Sequence, residues 1–513
     1  PPTAAAAFRR PPICRRCPSR WRGPTAWAMA AAAPDSGRPM TGGASRHRPR
    51  PRSVATFSAT NPFADAVAAD ASARPAATGP MALGPAAFGA HAGAAPPAPL
   101  PAQAPTPGAA RALAGSDPFE HRRTAAQVWR CKKAHRSEIR PEQWSQFGYA
   151  GPRGDEVIQR PIACDGARTL PIPRIRRGEI TPAAFFEEFA VARRPCIIEG
   201  ALADWPAMSR WSIDRLAKTL RHANFKVGED DSGRKLRMKF KYFLDYMRHQ
   251  WDDSPLYLFE SRTENMPLAR HLLDDFEVPD VFPHDFFDLV NHEAKPPYRW
   301  WSLGPRRSGT TVHNDPLGTA AWNAVTHGRK RWVLFEPSVP GRVAKGKDLF
   351  DKKSEDNEPM MYFDFILPRI KAKFPDLRVY EGIQEAGDLI FVPGEWWHGV
   401  LNLEDTVAVT QNYVGYDNFD RVWERTRRER PKLAHLWLRN MRKCAPHLHD
   451  RAAGLNWRDG FRMRHERQPG DPAPSSGSSS SSDSSSDSSS DSEADLDLRR
   501  VGAGAAAPPW AAA

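Results

Sequence analysis

Along residues 1–116 apolar positions follow no period, whereas from Asp117 to about Arg467 they recur in short runs punctuated by turn residues. "DPFEHRRTAAQVWRCKKAHRSEIRPEQWSQFGYA" predicts one or two short basic helices stopped at Pro141. "TPAAFFEEFAVARRPCIIEGALADWP" predicts a capped helix opening at Thr181 with Pro182 in its first position, then a buried strand over Cys196–Ile198. "KLRMKFKYFLDYMRHQ" is amphipathic, with Phe240, Phe243, Leu244 and Met247 at helical spacing and core packing as their plain meaning. Strands follow over Ser254–Ser261 and Pro296–Gly304. "TAAWNAV" and "RKRWVLF", separated by Thr326-His327-Gly328, predict a hairpin. Beyond a charged loop, Lys345–Glu358, three more strands are marked off by Gly387-Asp388, Pro393-Gly394 and Glu404-Asp405. Many short strands without long intervening helices indicate a mainly β fold with flanking helices (α+β), its core a jelly roll or barrel. "FDRVWERTRRERPKLAHLWLRNMRKCAP" closes the patterned part as a helix pair joined at Pro431.

Composition changes this picture at the two ends. The arm over 1–116, rich in Ala, Pro, Arg and Gly, cannot bury enough apolar surface to offset the entropy of ordering it, and disorder is expected. The same holds for 468–513, where "SSGSSSSSDSSSDSSSDSEADLDL" offers kinase sites that would make it strongly anionic. Between them we expect a helical N-terminal region over 117–254, a jelly-roll domain over 255–416 and helices over 417–467. A net charge of +13 gathers in "HRRTAAQVWRCKKAHR" and "RRERPK". Such runs suit a nucleic-acid-rich compartment or an acidic partner, with a solvated basic face as the plain alternative. Six Cys in 513 residues exclude a disulfide scaffold, and Cys14-x-x-Cys17 lacks the second pair that a zinc site needs. No run reaches the length of a membrane-spanning helix. The chain begins with Pro; a start at Met29 would put an Ala-, Ser- and Arg-rich stretch where transit peptides lie.

The candidate chemistry lies in "GTTVHNDPLGTAAWNAVTHGRKRW", Gly309–Trp332. A His-x-acid pattern is expected about twice in this composition, so His313-Asn314-Asp315 means nothing by its statistics. On a strand, however, residues two apart project to one face and can chelate one ion. His398, beside the turn in "FVPGEWWHGVLNL", supplies a third ligand; two imidazoles and a carboxylate leave the opposite positions open, as in non-haem Fe(II) oxygenases. Lys330 shares parity with Trp332 and Leu334 and belongs on the inward face, with Arg329 and Arg331 outside. An inward lysine is costly unless it meets an anion, either a ligand carboxylate or a structural salt-bridge partner.

"PLYLFES", "PPYRWWSLGPRRSGTTVHNDPLGTAAWNAVTHGRKRWVLFEP", "GDLIFVPGEWWHGVLNL" and "VTQNYV", in this order, resemble the jumonji C (JmjC) family of Fe(II)/2-oxoglutarate oxygenases, and within it the lysyl hydroxylase and arginine demethylase branch. The resemblance covers about residues 117 to 445. It implies a cupin-like double-stranded β-helix, iron on His313, Asp315 and His398, and 2-oxoglutarate on Thr310, Asn323, Lys330 and Thr410, with Tyr257 on the same ligand. It further implies lysyl 5-hydroxylation of Arg/Ser-rich splicing regulators, and together with the basic clusters it implies the nucleus. Methyl-arginine demethylation of histones or other proteins is the alternative, and a silent scaffold that binds RNA or protein is the non-enzymatic one. RNA contact through the basic helices and a homodimer through the C-terminal helices are further expectations; a membrane partner is not expected. Asn314 and Thr311 depart from the family's pattern and put substrate fit in doubt.

Overall fold

The computed structural model describes residues 119–463 apart from 167, 291–293 and 352–353, so Cys14, Cys17, the N-terminal arm and the Ser/Asp tail lie outside the described residues. In chain order the strands are β1 (Thr169–Pro171), β2 (Arg174–Arg176), β3 (Cys196–Glu199), β4 (Asn224–Glu229), β5 (Lys235–Lys239), β6 (Leu258–Glu260) and β7 (Arg299–Gly304). They continue with β8 (Gly309–His313), β9 (Ala320–His327), β10 (Lys330–Phe335), β11 (Val379–Gln384), β12 (Leu389–Val392), β13 (Trp397–Asn402) and β14 (Thr406–Tyr413). One sheet runs β1-β11-β10-β13-β8, the other β2-β3-β12-β9-β14-β7-β6, and β4 and β5 pair alone. From β8 onward the chain passes repeatedly from one large sheet to the other, as a jelly roll requires.

The hairpin expected around Thr326-His327-Gly328 does not form. β9 pairs with β12 and β14 in the larger sheet, and β10 with β11 and β13 in the smaller. The turn itself is where it was expected: Gly328 has φ +76°, and a Cβ there would lie 2.2 Å from the Asp405 carbonyl oxygen. Both strands are buried on both faces, so no polar alternation ties either to its neighbour in sequence.

Other elements also shift. The run expected as one amphipathic stretch splits into β5 and a helix over Phe240–His249, and the Ser254–Ser261 run is a strand only over Leu258–Glu260. Helical turns between Pro359 and Lys373 follow the charged loop, and the C-terminal pair, Phe419–Glu429 and Pro431–Cys444, is joined by a third helix, Pro446–Arg458. Thr181 caps its helix as expected, accepting the Ala184 N–H at 3.2 Å.

The layers follow from which face of each sheet is apolar. Between the sheets lie Ile197, Ile390 and Val392 from one side and Trp332, Leu334 and Val400 from the other. The outer face of the larger sheet packs on the N-terminal helices through residues such as Trp301, Trp322 and Phe391. The outer face of the smaller sheet is covered by Met361, Phe363 and Ile366. Arg331 therefore faces away from the barrel interior, as parity requires, yet it is buried, bonded to Glu381 at 2.8 Å with Lys371 on the same carboxylate. Arg427, counted from sequence among the basic surface, is likewise buried and holds Asn456 at 2.8 Å. No described helix is long and apolar enough to cross a membrane.

Candidate metal centre

His313 ends β8, an edge strand whose partner is β13, and it stands opposite His398 in the ladder. Their rings lie 4.3 Å apart between centroids. Asp315 lies two residues beyond the strand, where Pro316–Gly318 turns the chain. One ligand atom from each of His313, Asp315 and His398 lies within 4.8 Å of the other two. The structure thus brings together the three residues that the sequence singled out.

The tautomers are set by the backbone. His313 Nδ1 lies 2.8 Å from the Thr311 carbonyl oxygen and His398 Nδ1 lies 3.1 Å from that of Trp396. With Nδ1–H donated to a carbonyl, each imidazole keeps the Nε2 lone pair for a metal. Burial, reinforced by the neighbouring His313 and opposed by Asp315, pulls the His398 pKa down to about 4, so the ring is neutral at physiological pH. A neutral imidazole is the form that ligates a metal.

A β-bulge adjusts the second half of the site. From His398 to Val400 β13 takes two steps, while β8 takes three, from His313 to Thr310. Thr310 thereby stands opposite inward-facing Val400, although its parity is opposite to that of His313. The Thr310 hydroxyl is buried without a partner among the described residues.

Lys330 on β10 is 1% exposed. Its Nζ donates to the Tyr257 hydroxyl at 3.2 Å, which donates to Ser302 Oγ at 3.3 Å, and no carboxylate pairs with it among the described residues. The salt-bridge alternative for this lysine is thus not realised. Asn323 and Thr410 stand opposite each other on β9 and β14; the Thr410 hydroxyl donates to the Trp322 carbonyl at 2.9 Å, and Asn323 Oδ1 has no partner. Sequence reasoning missed Ser302, the carbonyls of Thr311 and Trp396, and Asn402, which faces Lys330 across the ladder. Tyr257, Gly309 and Thr310 also border a surface cleft of about 250 Å³ whose rim carries His135, Lys226 and Glu358.

Residues 182–419 match the model of the cupin-like domain family. The chain is 38% identical over 336 residues to the bifunctional arginine demethylase and lysyl-hydroxylase psr-1 of Caenorhabditis briggsae, covering 65% of this chain and 82% of that protein. It is 35% identical over 255 residues to the arginine-specific demethylase JMJ22 of Arabidopsis thaliana, covering 49% of this chain and 48% of that one. With the 2-oxoglutarate and iron-dependent oxygenase JMJD4 of Danio rerio it shares 28% identity over 276 residues, 48% of this chain and 61% of that protein. On its fold, its motifs and these relatives, the chain belongs to the cupin-like JmjC family.

Proposed function

We propose that the chain is an Fe(II)- and 2-oxoglutarate-dependent protein oxygenase that hydroxylates lysyl side chains at C-5, with Arg/Ser-rich splicing regulators as substrates. The residues present fit both groups. Two imidazoles with their Nδ1 positions occupied by carbonyls, and one carboxylate, form the donor set of a non-haem Fe(II) centre with open positions. The observation that carries the cosubstrate half is Lys330, an inward cation without a carboxylate. The partnerless Thr310 hydroxyl supplies a donor on the same face. When bound, iron and 2-oxoglutarate would supply the oxidising chemistry for hydroxylation of a substrate C–H bond.

The chain's own residues do the rest. His313, Asp315 and His398 hold the metal. Lys330 and Thr310 hold the distal carboxylate, with Tyr257 orienting the ammonium, while Asn323 and Thr410 border the same ligand from the larger sheet. Trp332, Leu334 and Val400 keep water from the interior.

Demethylation of methyl-arginine is the second reading, favoured by the names of two relatives and compatible with the same iron ligands. Mass spectrometry after incubation with a lysine-containing Arg/Ser peptide separates the two. Gain of one oxygen on lysine supports hydroxylation, and loss of a methyl group from a methylated peptide without it overturns that preference. Equal 2-oxoglutarate turnover by wild type and His313→Ala would sink the enzyme reading in favour of a scaffold.

Nuclear residence and RNA contact belong to the same proposal, supported by the basic helix Thr124–His135, where exposed Trp129 lies 4.9 Å from Lys133 Nζ. Cytoplasmic retention of a tagged chain counts against the first, and RNA affinity indifferent to salt against the second. Pairing of two copies through the C-terminal helices predicts a dimer by light scattering; a monomer at all concentrations refutes it.

A further inference from the structure

Among the described residues, four that are not glycine have positive φ: Arg193 (53°), Arg307 (77°), Leu317 (58°) and Glu395 (69°). Three of them meet at one place, beside the metal ligands. Such conformations cost free energy and persist only where the surroundings hold them.

Glu395 is the hub. Its Oε1 accepts from Arg425 Nη2 at 2.7 Å and its Oε2 from Arg193 Nη2 at 3.1 Å, with Arg421 Nε at 3.8 Å. Arg193 Nη2 also donates to the Gly394 carbonyl at 2.8 Å. These arginines come from distant parts of the chain, Arg193 from the turn before β3 and the other two from the helix Phe419–Glu429.

The two turns that carry the metal ligands lie against each other under this cluster. A Cβ on Gly394 would lie 2.4 Å from the Gly318 carbonyl oxygen, and a Cβ on Gly318 would lie 3.2 Å from Arg425 Cδ and 3.3 Å from Glu395 Cγ. Leu317, two residues after Asp315, is buried among Phe419, Val422 and Trp423 of the C-terminal helices. On the other turn, Glu395 is followed by Trp396, whose carbonyl holds His398 Nδ1. Burial and the adjacent Arg421 pull the Arg193 pKa below its ordinary value, so Glu395 separates cations that would otherwise repel.

We infer that Glu395, clamped by Arg193 and Arg425, is a positioning residue that locks the Asp315 and His398 turns together, so that the C-terminal helices set the geometry of the metal centre. This rests on the metal-site reading above and extends it to residues that touch no ligand. Partners that orient metal ligands typically carry about 10- to 100-fold in metal affinity.

The test titrates Mn(II) into the full-length chain and its Glu395→Gly, Arg425→Ala and Arg425→Lys variants, with melting of the metal-free proteins alongside. Glycine suits the positive φ at 395, so this change removes the clamp without straining the backbone. We expect Mn(II) affinity to fall at least tenfold in Glu395→Gly and Arg425→Ala, and to recover in part in Arg425→Lys, with the metal-free melting temperatures close to wild type. Unchanged affinity in folded Arg425→Ala overturns the clamp, as does a loss of affinity that merely follows a loss of fold in both Glu395→Gly and Arg425→Ala. Failure of the wild type to bind Mn(II) refutes the metal centre itself, a separate outcome.

Discussion

Replacing Lys330 by Met removes the buried cation and nearly keeps its volume. Among the described residues the Nζ meets one phenol and no carboxylate, and Tyr257 keeps Ser302 as a partner after the change. The metal-free fold is therefore expected to be no less stable, since an apolar side chain of similar size replaces a buried charge without stranding its counter-ion. The ligand is affected in the opposite direction. A dicarboxylate whose distal end enters the interior would leave a buried, unpaired carboxylate in the variant, a defect of about 3–5 kcal/mol. That corresponds to a 2-oxoglutarate Kd raised by roughly two to three and a half orders of magnitude. Anaerobic calorimetric titration of 2-oxoglutarate into Mn(II)-loaded protein reads this without turnover. A Kd within about threefold of wild type would show that Lys330 does not meet the ligand.

Three further outcomes follow from the same structure. His313→Ala and Asp315→Ala each leave two protein donors, and Co(II) titration followed by absorption should show affinity lowered by more than the ~100-fold that loss of a supporting partner reaches; preserved affinity in either contradicts the site. Burial pushes the Asp253 carboxyl up to about 6 although it accepts the Phe147 and Tyr149 amides at 2.7 Å each. The native state therefore binds more protons than the unfolded chain between about pH 4 and 6, and this group's contribution to stability falls as pH rises through that window. Urea unfolding of Asp253→Asn against wild type should shift in the variant's favour by about 2 kcal/mol between pH 4.5 and 7; a constant difference refutes the assignment. Gly328→Ala meets both the positive φ and the Asp405 carbonyl oxygen and should cost about 2–4 kcal/mol, read by urea unfolding, whereas a cost below about 0.5 kcal/mol would mean that the turn relaxes.

The candidate metal ligands were legible because two of them are close in sequence, His313 at the end of a strand and Asp315 just past it, and the third follows a turn that Pro393 and Gly394 announce. Lys330 was legible through parity alone, and parity also placed Arg331 correctly outside the barrel. Parity does not say what covers that outer face, and Phe363 and its neighbours make it a second core, with Glu381 to neutralise the charge. The failed hairpin has a related cause. A turn signal between two apolar runs fixes where the chain reverses, but when both runs are buried on both faces it does not fix which strands they pair with. Glu395 was not legible at all. Its partners come from before β3 and from a C-terminal helix, and a positive φ at a glutamate leaves no mark in a single sequence.

The ladder also explains why one short interior serves both halves of the site. His398 stands opposite Leu334, and Lys330 stands opposite Asn402, so imidazole and cation are four strand steps apart on one face of one sheet. Four steps are roughly 13 Å along the strand, a span that a lysine stem and a short diacid can share. Thr310 comes level with Val400, midway between them, because the bulge in β8 inserts one residue. Without that extra residue Thr311 would face the interior and the Thr310 hydroxyl would point away. A single irregularity in an edge strand thus places Thr310, rather than Thr311, level with inward-facing Val400, so the lining of this interior depends on register as well as on which residues are present.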